Sequence, residues 1–496
     1  MMSLKLFLLA MVALFSISVY MAQLPMATFA QQEFSGSNSN STEAVTSTND
    51  AVLKSILIVS QVSAIGITFN YLLFQRISGK ISKNHTESKE KQGNDYFYGN
   101  NQHLGRFTII VSLSCIAIIL SSTGIILLSA YELSKETTLD LLSTLSIVHS
   151  ASVGQVWTIR IATSLLAMGL VVAQYILKKR AAKKKTKGDT HMENHSRKTS
   201  DSTVLIPLMV VVVVLSINLF SNSMISHSNA LPFFPSLAVS LDWIHFMAVS
   251  IWIGGLFYLT TILLKGLKLS PQNHNYEKTD TGNNNGDKDE IRDSIKNTQH
   301  ISILLMYFSF VAVVALTIIG ITGLYLGLVH LQNINAIFNT SYGNILIIKL
   351  SLAFPLIFLG RYNQLKIQDY AKSSKNILQA KNFSNDHSNT VFMTHNEKGL
   401  NFFKVLNRSI KVESIIGISV LVAASFLSVT SPPSLSTPTA DFIANGDDGN
   451  AGFSSTNTIS ADFSALAIAL STIILVLGII NFRKNQQNTK DVAVIS

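Results

Sequence analysis

Long apolar blocks recur along this chain, each about twenty residues long and separated by polar, Lys-rich or Asn-rich segments. The block at 205–220, LIPLMVVVVVLSINLF, is apolar on every side of a helix, so lipid suits it better than a protein core. Only 13% of the 496 residues are charged, whereas about 25% are charged in an average soluble chain. The pattern predicts an all-α fold, a polytopic transmembrane helix bundle.

The N-terminus has the layout of a secretory signal. Lys5 precedes an apolar run at 6–20, and the small-residue sequence ATFA at 27–30 is followed by polar residues. This order predicts a signal peptide, or an uncleaved signal anchor, over 1–30. In either case the residues that follow lie outside the cell.

Nine further membrane helices are predicted from the apolar blocks. A polar outward segment at 31–51 leads into the first eight helices, which form one membrane domain over 52–433. A linker at 434–462 joins this domain to an extra helix, and a cytoplasmic tail at 483–496 ends the chain. The predicted helices lie at 52–75, 107–131, 156–177, 203–224, 237–264, 302–330, 342–365, 412–430 and 463–482.

The lysines and arginines set the predicted orientation in a cell membrane. The segments assigned to the outside hold a single one, Lys135, whereas the inward segments hold thirty-three of the thirty-eight in the chain. Such a bias fixes topology during insertion. The basic residues have no interleaved aromatic residues, so the net charge of +10 reflects topology and lipid headgroups and not a nucleic-acid partner.

Asp242 and His245 interrupt the apolar run LDWIHFMAVSIWIGGL at 241–256. At 1.5 Å per residue, His245 lies about 13 Å below the outer helix end, where an unpaired polar group costs several kcal/mol. Helical spacing places both residues and Trp252 on one face. Asp242 could therefore hold one imidazole nitrogen and free the other to bind a ligand. The alternative is that His245 only hydrogen-bonds a neighbouring helix.

Three histidines belong to the outward side of the predicted topology. His149 lies just before the third helix, His227 ends the fourth and His330 ends the sixth. Met224 lies three residues before His227, which predicts that both share a helical face. Imidazole with thioether suits copper better than magnesium or calcium. Each residue alone is more typical of an ordinary surface, but together they predict capture of a copper ion.

A weak repeat relates two basic residues inside membrane helices. The sequences GQVWTIR at 154–160 and GNILIIK at 343–349 each place a basic residue six positions after a glycine. Arg160 and Lys349 therefore either snorkel to the interface or share a supporting role. That role could be to pair with Asp242 or to set the field at an entry vestibule.

Several motifs of other protein classes are absent from the sequence. There is no GxxxxGK[ST] loop, no DKTGT and no CPC within a membrane helix, which disfavours a pump driven by ATP. Cys115 is the only cysteine and excludes a disulfide framework or a CxxC pair. Gly254 and Gly255 predict close helix packing. The chain is not predicted to be an enzyme.

Three stretches of the chain resemble the copper-resistance protein D family. They are SHSNALPFFPSLAVSLDWIHFMAVSIWIGGL at 226–256, the core at 320–367 and the closing helix at 408–433. With the turn at 154–160, the resemblance covers about 52–433. The outer helix end departs from the family pattern, since it reads Ser-His-Ser-Asn-Ala in place of Gly-His-Ala. The matching residues of the core and closing helix are Thr322, Gly323, Tyr342, Gly343, Lys349, Asn363, Glu413, Pro432 and Pro433.

The resemblance implies an eight-helix inner-membrane protein that handles copper together with a copper-binding partner, copper-resistance protein C. It carries over His227, His245, Trp252, Arg160 and Lys349 as motif residues. The outward segments are too short for a fused C-type β-sandwich, so the copper donor is expected to be a separate protein or the free ion.

The resulting hypothesis is a copper permease that contributes to copper transport, resistance or homeostasis. Two alternatives stay open. One is a membrane electron carrier with b-type haem held between His227 and His245 or His149. The other is a copper-sensing or assembly scaffold that does not transport.

Overall fold

The computed structural model describes residues 48–85, 101–185, 197–231, 234–264, 285–331, 333–381 and 388–435. These residues form helices and turns and contain no strand. The predicted signal segment at 1–30 and the predicted extra helix at 463–482 lie outside them. The ten α-helices are α1 (Thr48–His85), α2 (Asn101–Thr137), α3 (Leu141–Ser150), α4 (Ser152–Lys185), α5 (Arg197–Met224), α6 (Pro235–Tyr258), α7 (Asn285–Leu331), α8 (Ala336–Asn339), α9 (Ser341–Lys381) and α10 (Ser388–Val429).

Eight of these helices are long and apolar enough to cross a membrane, which confirms the all-α polytopic bundle. They are α1, α2, α4, α5, α6, α7, α9 and α10, and each corresponds to one predicted helix. Most are longer than predicted, because the helix continues past the apolar block into polar residues. In α7 the helix begins at Asn285, although its apolar part starts only at Ile301.

Helix α6 is at the centre of the bundle. In its most apolar part 72% of the residues are buried, against 11% for α9, which lies at the periphery. Helix α6 packs against α1, α5, α7 and α10. Its crossing with α1 is close because a Cβ at Gly254 would lie 2.6 Å from Gly66 Cα. Only hydrogen side chains allow backbones to approach so closely, so the predicted close packing at Gly254 is confirmed.

Three connections between spanning helices lie at one end of the bundle, which we call the histidine end: residues 138–151, 225–231 and 333–340. The first contains α3, whose N-cap Asp140 accepts a hydrogen bond from the Ser143 amide at 3.3 Å. The second contains a 3₁₀ turn at His227–Ala230, and the third contains α8. These segments were predicted as outward loops, and neither α3 nor α8 was predicted.

Candidate functional site

His227 and His330 come together at the histidine end. Their ring centroids are 6.5 Å apart with the planes at 68°, and His330 also stacks on Tyr342 with centroids 6.3 Å apart. Nδ1 of His330 lies 2.7 Å from the Leu326 carbonyl oxygen, which can only accept, so this nitrogen carries the hydrogen. Nε2 of His330 therefore keeps its lone pair. Nε2 of His227 is buried and makes no hydrogen bond.

The spacing of this histidine pair suits a single ion. A metal lies about 2 Å from an imidazole nitrogen and about 3 Å from the ring centre, so two rings that share an ion have centres about 6 Å apart. The observed 6.5 Å is compatible with that arrangement. The described residues contain no group of three or more His, Cys, Asp or Glu that could hold a metal. Among the described residues, two imidazoles are thus the candidate ligands at this end.

The surroundings of His227 keep its ring neutral. Its pKa is lowered to about 4, mainly by burial and further by the neighbouring His330 and the charge of Lys54. The backbone carbonyls of Ser428 and Thr430 lie beside the ring and act in the opposite direction. A neutral imidazole at pH 7 offers its lone pair to a metal without first losing a proton.

His149 and Met224 do not join the histidine pair. His149 is exposed in the last turn of α3, and no described contact links it to His227 or His330. The predicted helical face shared by Met224 and His227 is wrong, because α5 ends at Met224 and the extended Ser226 (φ −85°, ψ 163°) separates it from the turn that holds His227. Met224 instead packs against the apolar core.

His245 is held by α7. Its Nδ1 lies 2.9 Å from the Thr322 hydroxyl oxygen, and that hydroxyl donates to the Ile318 carbonyl at 2.7 Å. Since a hydroxyl has one hydrogen, Thr322 must accept from His245, and Nδ1 carries the ring hydrogen. Nε2 is then the nitrogen with a lone pair. The carbonyl of Ile319 and the bare Cα of Gly323 also lie beside the ring.

Asp242 does not hold His245, so the predicted pairing needs correction. No hydrogen bond joins the two side chains, because Thr322 of α7 occupies the position at Nδ1. The Asp242 carboxylate faces the hydroxyls of Ser223 and Ser226, and its Oδ2 is buried without a hydrogen-bond partner. The carboxylate and the imidazole thus lie in one region of the bundle but contact different residues.

Lys349 faces both Asp242 and His245. The charge of Lys349 acts on each of the two groups, and Asp242 also acts on Tyr342. None of the described contacts brings the Lys349 ammonium within ion-pair distance of Asp242. The hypothesis that Lys349 supports this region, by pairing with Asp242 or by setting its field, therefore stays a prediction.

Arg160 lies elsewhere in the bundle. It is fully buried, its Cζ lies 4.0 Å from the centre of the Trp157 ring, and its Nε donates to the Ser221 hydroxyl. No described interaction links it to Asp242. Trp252 packs within the apolar core, two turns along α6 from His245, as the shared face predicts.

A buried amide network, which the sequence did not predict, adjoins the backbone of Arg160. Asn218 donates to the Arg160 carbonyl at 2.9 Å and accepts from Gln61 at 2.7 Å, and Asn222 donates to Gln61 at 2.6 Å. The available signal was the run of Ser and Asn at 216–223, which breaks an apolar block. A second missed contact is the 2.8 Å hydrogen bond from Asn363 to the buried Glu413.

The fold and the polar groups in its interior define the class of this molecule, a multi-pass membrane protein with an eight-helix core. Residues 303–427 match the family model of copper resistance protein D (CopD). The matched residues include His330, Thr322 and Lys349, and the resemblance predicted from the sequence is confirmed for this part of the chain. No curated protein and no solved structure matches the chain. The chain is therefore a membrane protein related to copper.

Proposed function

We propose that this protein is a copper permease and not an enzyme, and that His227 and His330 capture the ion. The observation that carries the proposal is the approach of two imidazole rings to 6.5 Å at one end of the bundle. Their lone pairs are free, and His330 lies within the copper resistance protein D match. Imidazole is a suitable copper ligand, and a low pKa keeps His227 ready to bind at neutral pH.

His245 is the next binding site for the ion in the proposed path. It lies ten residues into α6 from Pro235, about 15 Å along the helix axis. Its Nδ1 is occupied by Thr322, which directs Nε2 toward an ion. Asp242 lies between the two levels and supplies a negative charge that stabilises a cation away from water. Lys349 repels the same cation, so the ion is bound weakly enough to leave.

Copper flux into proteoliposomes tests this function. We expect His227→Ala, His330→Ala and His245→Ala each to lower the initial rate by about tenfold or more, the usual effect of losing a metal ligand or its support. His149→Ala is the matched control, because this exposed residue contacts neither ring, and it should transport like the unmodified protein. Normal flux in all three variants at matched reconstitution would show that the histidines do not form the path.

The proposed function includes a source of copper and an orientation in the membrane. With the histidine end outward in the plasma membrane, copper arrives as the free ion or from a separate copper-resistance protein C-like donor. The basic loops lie on the cytoplasmic side, where they rest on anionic lipid. Accessibility of a cysteine introduced at His149, probed with a membrane-impermeant reagent on intact cells, tests this orientation.

A haem site is the main rival and has a simple test. The described contacts do not link His227 to His245 or to His149, the pairs that the haem hypothesis used. A visible spectrum of the purified protein should show no Soret band, and metal analysis should find copper. Copper binding without flux would instead identify a sensory or assembly scaffold.

A further inference from the structure

The guanidinium of Arg160 is anchored on two sides and unpaired on the third. Its Nε donates to Ser221, and Trp157 covers one face at 4.0 Å. Both terminal nitrogens, Nη1 and Nη2, are buried and make no hydrogen bond with the part of the chain that the structure describes. The residue is 0% exposed, so bulk water does not satisfy these donors directly.

The neighbours of Arg160 are neutral. Gln61, Asn218 and Asn222 are amides that use their donors and acceptors on one another and on the backbone. The carboxylate of Asp242 interacts with Lys349 and not with Arg160. Within the described ranges an ion pair joins Lys54 to Asp50 at the start of α1, and none is described for Arg160. Burying a cation without a counter-ion costs several kcal/mol. Some other interaction must therefore offset the cost of burying Arg160.

The geometry of the free donors indicates the chemistry of the missing counter-ion. With Nε occupied and one face covered, the terminal edge of the guanidinium remains available. Its two N–H groups are parallel and match two oxygens of one anion, as in bidentate pairs of arginine with carboxylate or phosphate. A halide has one centre and meets this edge less well. We propose that Arg160 binds an oxyanion, a carboxylate or a phosphate, at a site separate from the histidine pair.

The polar residues of α5 connect this site to the histidine end. Arg160 lies eight residues into α4, about 12 Å along its axis. Ser221, Asn222 and Ser223 fill the last turn of α5 between that depth and the end of the helix. A small anion that moves along this face of α5 would meet these hydroxyl and amide groups.

Thermal unfolding of the purified full-length protein, free of copper, tests the proposal without reference to transport. The protein is held in an uncharged maltoside detergent at constant ionic strength, and sodium phosphate, sodium acetate, sodium chloride or phosphatidylglycerol is added in separate arms. We expect the unfolding temperature to rise with phosphate or acetate concentration, since a ligand that binds only the folded state stabilises it. In Arg160→Gln the rise should be lost. Lys135→Gln, which removes an exposed cation, should keep it.

The other possible results also decide for or against an oxyanion site at Arg160. If neither oxyanion nor the lipid changes the unfolding temperature, or if the temperature rises equally in Arg160→Gln, the site does not exist. If chloride raises the unfolding temperature as much as the oxyanions do, the ligand is not specifically an oxyanion. An Arg160-dependent rise with phosphatidylglycerol alone supports the site and identifies a lipid phosphate as its source. If Arg160→Gln does not fold, Ser221→Ala decides: a several-fold higher phosphate midpoint supports the site, and an unchanged midpoint overturns it. Loss of copper flux in other variants leaves this result untouched.

Discussion

Arg160 and Lys349 occupy equivalent places in the two halves of the weak repeat, but their surroundings differ. Each follows a glycine by six residues, and each glycine lies under a short helix. A Cβ at Gly154 would lie 2.8 Å from the His149 Cα of α3, and one at Gly343 would lie 2.5 Å from the Ala336 oxygen of α8. The backbone therefore repeats. The charges do not, because Lys349 faces the carboxylate of Asp242 whereas the Arg160 guanidinium contacts the Ser221 hydroxyl and the Trp157 ring.

A repeated position therefore fixes depth and direction but not the partner. The partner is supplied by the helix opposite, and α5 and α6 differ at that level. In the Lys349 region the chain provides its own counter-charge and adds an imidazole, His245, so the region can exchange one cation for another. In the Arg160 region the chain provides only neutral acceptors. The first region suits a passing cation, and the second suits a bound anion.

Neutralising the charges one at a time should change stability the most. Asp242→Asn leaves Lys349 without its counter-charge, and Lys349→Met does the reverse, so each should lower the free energy of unfolding by about 2–3 kcal/mol. The double variant should recover most of that loss, a coupling that a double-mutant cycle in denaturant measures. Arg160→Met should show no such rescue by Asp242→Asn. Rescue of Arg160→Met would mean that Asp242 serves both basic residues.

The helices of this fold could be predicted because apolar block length alone determines them. Each of the eight predicted blocks that fall within the described residues corresponds to one spanning helix. The block boundaries could not show that α5 stops at Met224, since the break depends on the extended Ser226. They also could not show α3 and α8, because a short helix beside the membrane has no long apolar block.

The site could be predicted only in part. His227, His330 and Lys349 follow from the side of the membrane or the depth that topology assigns them. The partner of His245 could not be derived, because helical geometry on α6 pairs it with Asp242 while the contact comes from Thr322 of α7, 77 residues away. The amides of Gln61 and Asn218 meet across 157 residues and carry no motif. Sequence gives the chemistry of each helix face, and packing decides which faces meet.

The pH dependence of the free energy of unfolding should also differ between the two regions, with a somewhat smaller effect. His227 titrates near pH 4 in the folded protein and near 6.5 when unfolded, so the unfolded state takes up a proton first as the pH falls. The stability that this residue contributes is complete above pH 6.5 and is lost as the pH falls toward 4. Between pH 7 and 5 the unmodified protein should lose about 2 kcal/mol more than His227→Gln.

The Arg160 region provides the control for this experiment. Asn222→Ala removes an amide that does not titrate, so it should lower stability by the same amount at pH 7 and at pH 5. Denaturant unfolding of the three proteins at both pH values measures the difference. Equal pH dependence in the unmodified protein and in His227→Gln would mean that the folded ring takes up its proton at an ordinary pH.

The smallest effect concerns the hydroxyl that orients His245. Thr322→Val keeps the shape of the side chain and removes the acceptor for Nδ1, so the ring loses its fixed orientation and copper flux should fall by about tenfold. Thr317→Val is a matched control on α7, because the Thr317 hydroxyl donates only to the Val313 carbonyl of its own helix at 3.0 Å. Anion-dependent stability, the property proposed for the Arg160 region, should not change in either variant. If Thr317→Val slowed flux as much as Thr322→Val, the loss would reflect α7 as a whole, and the proposed role of Nδ1 in directing Nε2 toward the ion would be wrong.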